Sequence, residues 1–122
     1  MASSTTFLST LVLFIAATLA FTTISAAVAE AAEIIEVENW YLPYNGPKEV
    51  TANVGDSIVF NWNTGHNVYI HPTMSCALDD IIFVGNKSPT TYTFTETDGG
   101  TDMFFGCDIG NGAHCRNGTF VK

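Results

Sequence analysis

A thiol and an imidazole lie on one glycine-rich loop near the end of the chain, at Cys107 and His114. The loop follows an apolar run at residues 103–106 (MFFG) and precedes a second one at 118–121 (GTFV), and both runs are typical of buried strands. Side chains on a loop that rigid strands hold at both ends can converge on one point. The loop is therefore a candidate metal site, since thiolate and imidazole both bind metal ions.

A third ligand must come from elsewhere in the chain, and the best candidate is His66. It lies in the sequence TGHNV at 64–68, directly after an alternating segment at 57–62 that predicts a strand. Two imidazoles and one thiolate form the trigonal set that suits a blue copper electron-transfer site with a weak axial fourth ligand.

The motifs around these residues resemble those of the phytocyanins, the plant branch of the small blue copper proteins (cupredoxins). In chain order they are VGD at 54–56, the strand at 58–62, GHNV at 65–68, Cys76, FFGC at 104–107 and HCRNG at 114–118. The resemblance covers residues 34–122. It implies that His66, Cys107 and His114 hold one type 1 copper ion. It also implies a disulfide between Cys76 and Cys115, and hydrogen bonds from Asn67 that tie the first His loop to the Cys loop.

Two features depart from the phytocyanin pattern. Six residues separate Cys107 from His114, where the family has four. The axial position, which is Met or Gln in the family, is Thr119 here. A Thr hydroxyl is a poor copper ligand, so we expect a three-coordinate site or an oxygen donor, and loss of the sulfur donor is expected to raise the reduction potential.

The cysteine and histidine counts limit the alternatives. Three cysteines leave one that is free, intermolecular or a ligand, and assigning Cys107 to metal accounts for it. Three histidines without a His-X-His pair cannot build a trinuclear copper centre, which excludes a copper oxidase, and the resemblance implies an electron carrier rather than an enzyme.

His71 matches no ligand position and is interpreted as a surface residue, and Asp108 is expected to face water. A zinc site of His66, Cys107, His114 and Cys115 would need reduced Cys115.

The first 29 residues are interpreted as a signal peptide and residues 30–122 as one domain. An uncharged apolar run ends in small residues, and all acidic residues lie at or after Glu30. A secreted protein without a membrane span after cleavage is the favoured interpretation, and a retained N-terminal membrane anchor is the lesser one.

Short runs rich in branched and aromatic residues predict an all-β sandwich or barrel. They lie at 34–37, 49–53, 57–62, 68–70, 81–84, 91–95 and 103–106, with another beginning at 118. The resemblance narrows this fold class to a cupredoxin-like Greek-key β-sandwich or barrel of about seven to eight strands. No helical periodicity persists after the N-terminal segment.

The charge balance predicts the kind of partner. Four basic residues against twelve acidic ones make nucleic acid an improbable partner and favour a redox protein with a basic docking surface. The alternative function is a metal-free cupredoxin-like module for interactions at the cell surface, which Thr119 and the longer loop favour. Sequons at Asn86 and Asn117 are candidate glycosylation sites in a secreted chain.

Overall fold

The computed structural model describes residues 22–122, which fold as a sandwich of two small β-sheets. The strands are β1 (Ile34–Val37), β2 (Ser57–Phe60), β3 (Val68–Ile70), β4 (Ile82–Gly85), β5 (Thr90–Thr93), β6 (Phe105–Gly106) and β7 (Phe120–Val121). A 3-10 turn at Glu96–Asp98 and a short helix α1 (Ala113–Arg116) complete the regular structure. The predicted all-β class is confirmed.

Strand order distributes the candidate ligands between the sheets. One sheet has the order β1-β2-β5, with β1 parallel and β5 antiparallel to β2, and the other has the order β4-β3-β6-β7 with antiparallel neighbours. His66 lies on the connection that crosses from β2 to β3. Cys107 follows β6, so both residues emerge where strands end at the same side of the sandwich.

Aromatic side chains join the two sheets. The alternation in β2 turns Ile58 and Phe60 inward, and both are fully buried. Phe60 contacts Phe105 of the facing sheet with ring centroids 5.4 Å apart, and it meets the fully buried Trp40 edge-on at 4.9 Å. Aromatic pairs of this kind contribute about 0.5–1.5 kcal/mol each beyond their buried area. This core provides the rigid base from which the ligand loops extend.

The structure corrects two sequence-based expectations. Residues 49–53 do not form a strand, although Val50 donates a backbone hydrogen bond to the Lys122 carbonyl at 2.8 Å. The loop that follows Cys107 leads into α1, which begins at Ala113 and includes His114, whereas no helix was expected after the N-terminal segment. A helix of four residues is too short to show a periodic apolar pattern, and tertiary contacts must hold it in place.

The predicted signal peptide falls mostly outside the described residues. Residues 22–32 are exposed and have no regular secondary structure, so the boundary at residue 29 stays a prediction. Within residues 22–122, no helix has the length and apolar character needed to span a bilayer.

Candidate metal centre

Three side chains from the two loops converge on one point. The Cys107 Sγ atom lies 3.6 Å from His66 Nδ1 and 3.5 Å from His114 Nδ1, and the two nitrogens are 3.3 Å apart. Cys107 is fully buried and both histidines are half-buried. The predicted set of His66, Cys107 and His114 is thus assembled in space.

The triangle of donor atoms has the size that a metal ion requires. Its centre lies about 2 Å from each atom, close to the metal–nitrogen distance of about 2.0–2.1 Å and slightly below the metal–thiolate distance of about 2.3 Å. One soft sulfur and two imidazole nitrogens are the donors that copper prefers in electron-transfer sites. The residues present therefore fit a copper ion.

Backbone hydrogen bonds fix Cys107 and His114 relative to each other. The Cys107 N–H donates to the Thr119 carbonyl at 3.1 Å, and the Thr119 N–H donates to the His114 carbonyl at 2.9 Å. The Cys107 carbonyl accepts from the Cys115 N–H at 3.1 Å. The two ligands on this loop are therefore held by a closed set of main-chain contacts that does not depend on the metal.

The longer ligand loop folds into turns that end in α1. Gly110, Asn111 and Gly112 have φ values of 68°, 52° and 78°, in the left-handed region that glycine adopts at little cost. The Gly112 N–H donates to the Asp108 carbonyl at 2.9 Å, and α1 begins at the next residue. The six-residue spacing is accommodated in this way, with His114 on the first turn of the helix.

Asn67 connects the two ligand loops. Its side-chain Oδ1 accepts a hydrogen bond from the backbone N–H of Asp108 at 2.7 Å, and its carbonyl accepts one from the Trp40 indole N–H at 3.0 Å. The first contact is the loop-to-loop link that the phytocyanin resemblance implies. Asn67 directly follows His66, and Asp108 directly follows Cys107. The hydrogen bond between them therefore fixes the two ligand loops relative to each other.

The electrostatic environment favours a neutral imidazole at His66. Burial lowers the pKa of His66, and a positive charge on His114 lowers it further. Burial raises the pKa of the Cys107 thiol, although backbone N–H groups of Asn67 and Ile109 directed at the sulfur oppose that shift. Metal binding requires the neutral imidazole and the thiolate, and a bound cation supplies the positive charge that ionises the thiol.

Thr119 is fully buried beside the two ligands it connects. Its hydroxyl donates a hydrogen bond to the Tyr41 carbonyl at 2.7 Å, so the proton of the hydroxyl points away toward a neighbouring segment. The Tyr41 ring in turn lies 5.9 Å from the His66 ring, centroid to centroid. No sequence pattern indicated Tyr41, because only the tertiary structure brings this residue against Thr119 and His66.

The implied disulfide between Cys76 and Cys115 is confirmed, and it anchors α1 to the loop after β3. It also excludes the zinc site with four protein ligands, since Cys115 is not available as a thiolate.

His71 was wrongly expected at the surface. It is fully buried, with Nδ1 3.0 Å from the Ala77 carbonyl and its ring against Phe104. Its apolar neighbours were not evident from the flanking sequence.

Asp108 is half-buried rather than directed at water. Its Oδ1 atom is buried and has no hydrogen-bond partner among the described residues. Its negative charge adds to the factors that raise the pKa of the Cys107 thiol. The carboxylate thus lies close enough to the sulfur to oppose its ionisation.

Comparisons with known proteins bear on the fold. No known family profile matches the chain, and no curated protein is similar in sequence. Among solved structures, spinach plantacyanin superimposes with a TM-score of 0.55 and 19% sequence identity, over 72% of this chain and 93% of that one. At this identity the likeness establishes the fold. The chain therefore has a cupredoxin-like fold, similar to that of plantacyanin, as the phytocyanin-like motifs predicted.

Proposed function

We propose that the chain is a type 1 copper protein that carries single electrons by outer-sphere transfer, and that it is not an enzyme. The observation that supports this most directly is the triangle of Cys107 Sγ, His66 Nδ1 and His114 Nδ1. The cupredoxin-like fold supports it independently, because spinach plantacyanin has the same architecture. Copper bound at this position supplies a one-electron redox couple.

The protein's own part in this function is to keep the ligands still. The main-chain contacts among Cys107, His114 and Thr119 form without metal, and the disulfide at Cys115 holds the next residue. Ligands that keep the same geometry in both oxidation states of the metal lower the reorganisation energy of electron transfer. The half-buried imidazole of His114 offers an edge through which electrons pass to a partner.

The proposed setting is extracellular, after removal of residues 1–29. The disulfide between Cys76 and Cys115 fits an oxidising compartment. The proposed partner is a redox protein with a basic docking surface, since the net charge of the chain is −8. Within residues 22–122 one ion pair forms, between Lys122 and Glu49, which leaves most carboxylates free to attract a cationic surface.

The test is visible absorption and electron paramagnetic resonance of residues 30–122 after addition of one equivalent of Cu(II). We expect an intense blue thiolate-to-copper band and a narrow hyperfine splitting. The matched control is Cys107→Ser, which keeps the disulfide and is expected to lose the blue band. A colourless or ordinary Cu(II) spectrum from folded, disulfide-bonded protein would refute the electron-carrier proposal and favour the metal-free interaction module.

A further inference from the structure

Lys48 holds its ammonium group against the backbone beside the candidate metal centre. The Lys48 Nζ atom donates hydrogen bonds to the Tyr44 carbonyl, at 2.6 Å, and to the Gly118 carbonyl. It also lies over two aromatic rings, 5.0 Å from the ring centroid of Tyr44 and 4.7 Å from that of Phe120. Carbonyl oxygens and ring faces both attract a cation, so the position of this ammonium group is fixed from several sides.

A single peptide group connects this cation to the metal ligands. The Gly118 carbonyl, which accepts from Lys48, and the Thr119 N–H belong to the same planar peptide unit. That N–H donates to the His114 carbonyl at 2.9 Å, and the Thr119 carbonyl accepts from the Cys107 N–H at 3.1 Å. The ammonium group therefore binds one end of the main-chain contacts that hold both ligands on this loop.

The charge of Lys48 is not compensated by a carboxylate. Among residues 22–122 the ion pair that forms joins Lys122 to Glu49, and Lys48 takes part in none. Of the four basic residues Lys48 is half-buried, whereas Lys87, Arg116 and Lys122 are exposed. Water and salt screen a half-buried charge less than an exposed one, so the charge of Lys48 acts over a longer distance.

A positive charge close to a metal site favours the oxidation state of the metal that carries the lower charge. Cu(I) has one positive charge less than Cu(II), so an uncompensated ammonium group stabilises the reduced state relative to the oxidised one. This effect has the same direction as the expected loss of the axial sulfur donor at Thr119.

We propose that Lys48 raises the reduction potential of the metal site through its positive charge, which the Gly118 and Tyr44 carbonyls hold in place. Lys48 does not ligate the metal in this role. The inference rests on the proposed electron-carrier function, and it assigns part of the control of the potential to a residue outside the ligand set.

The test is voltammetry of copper-loaded Lys48→Met, which keeps an unbranched side chain and removes the charge. The ratio of Cu(I) to Cu(II) affinity is expected to fall by about tenfold, the order of effect of one partly desolvated unit charge. For a one-electron couple this corresponds to a potential lower by about 59 mV. Lys48→Arg keeps the positive charge and the N–H donors, and its ratio is expected to stay within about twofold of that of the unaltered protein.

Lys122→Met is the matched control for charge. It also removes one positive charge, but the Lys122 side chain is exposed and its Nζ lies 3.9 Å from a carboxylate oxygen of Glu49. Solvent and the carboxylate already screen this charge, so the affinity ratio is expected to change by less than about twofold.

Urea unfolding of the metal-free proteins gives a second measurement that does not depend on copper. Lys48→Met is expected to lower the folding equilibrium constant by about tenfold, because the Tyr44 and Gly118 carbonyls lose a cationic donor. Lys122→Met is expected to lower it by less than about twofold. Equal stability of Lys48→Met and the unaltered protein would show that these carbonyls do not hold Lys48, and would overturn the proposal.

The outcomes separate this inference from the proposed function. A missing blue band in the unaltered protein would refute the proposed function, and the inference would fall with it. A blue unaltered protein whose Lys48→Met variant keeps the same potential would overturn the inference alone. Equal decreases in potential for Lys48→Met and Lys48→Arg, or loss of the blue band from folded Lys48→Met, would also overturn it, because Lys48 would then act through packing rather than charge.

Discussion

Removal of the Cys76–Cys115 disulfide is expected to destabilise the domain strongly and to weaken its metal site. The proposed change is the double substitution Cys76→Ala and Cys115→Ala, which leaves Cys107 as the single thiol. The bridge joins residues 39 positions apart in sequence. It connects the loop after β3 to α1, whose four residues do not form a stable helix by themselves.

The magnitude follows from the size of the closed loop. The chain-entropy relation gives about 4 kcal/mol for a loop of this length, as the extra conformational freedom that the unfolded chain regains. For a domain of this size each 1 kcal/mol changes Tm by roughly 4–8 °C, so we expect a decrease of about 15–30 °C. Cys115 is fully buried, and its truncation adds a small packing loss to that value.

The assay is urea unfolding of the metal-free protein, followed by tryptophan fluorescence. The free energy of unfolding is expected to fall by about 4 kcal/mol, and the m-value is expected to rise because the unfolded chain exposes more surface. Cys107→Ala is the matched control, since it also removes a fully buried cysteine but keeps the bridge.

Copper affinity gives a second measurement on the same variant. His114 precedes Cys115, and loss of its anchor is expected to weaken Cu(II) binding by about 10–100-fold. The main-chain bonds from Thr119 to both ligand residues remain, so the site should still form. A stability loss no larger than that of Cys107→Ala would refute the loop-entropy reasoning, and unchanged copper affinity would show that α1 holds His114 without the disulfide.

Three further substitutions test single contacts. Thr119→Met places a sulfur donor at the expected axial position and should lower the reduction potential of the copper-loaded protein, measured by voltammetry; an unchanged potential would remove Thr119 from the axial role. Asn67→Ala breaks the bond to the Asp108 N–H and should weaken Cu(II) binding by about 10–100-fold in a competition titration, whereas an affinity equal to that of the unaltered protein would contradict its positioning role. Asp56→Asn removes a carboxylate whose pKa is lowered by hydrogen bonds from the Glu33 and Asn53 N–H groups. The stabilisation from this carboxylate is present above its unfolded-state pKa of about 3.9 and is lost as pH falls through the lower folded-state pKa. Tm of the variant should therefore be lower at neutral pH and should decrease less on acidification, and parallel Tm–pH curves for the two proteins would contradict this.

Local sequence patterns were sufficient to predict the strands that pack on the core. The alternation of Ile58 and Phe60 correctly predicted a half-buried strand in β2, since a period of two places both on one face. The prediction failed at residues 49–53, where the composition suits a strand. Strand formation there requires a paired neighbour, and within residues 22–122 the backbone partner of this segment is Lys122.

The sequence by itself determined the chemical types of the candidate ligands and their order along the chain. The positions of Cys107 and His114 on one loop, and the similarity of the flanking motifs to phytocyanins, were sufficient to nominate His66 as their partner. The ligand residue types, their spacing and the flanking motifs are local properties of the sequence. They can therefore be identified without knowledge of the fold.

The tertiary structure alone decided which side chains surround those ligands. It placed the Tyr41 carbonyl against the Thr119 hydroxyl, although 78 positions separate them in sequence, and it buried His71. Such contacts depend on how distant segments pack, and neither residue type nor periodicity encodes that packing locally.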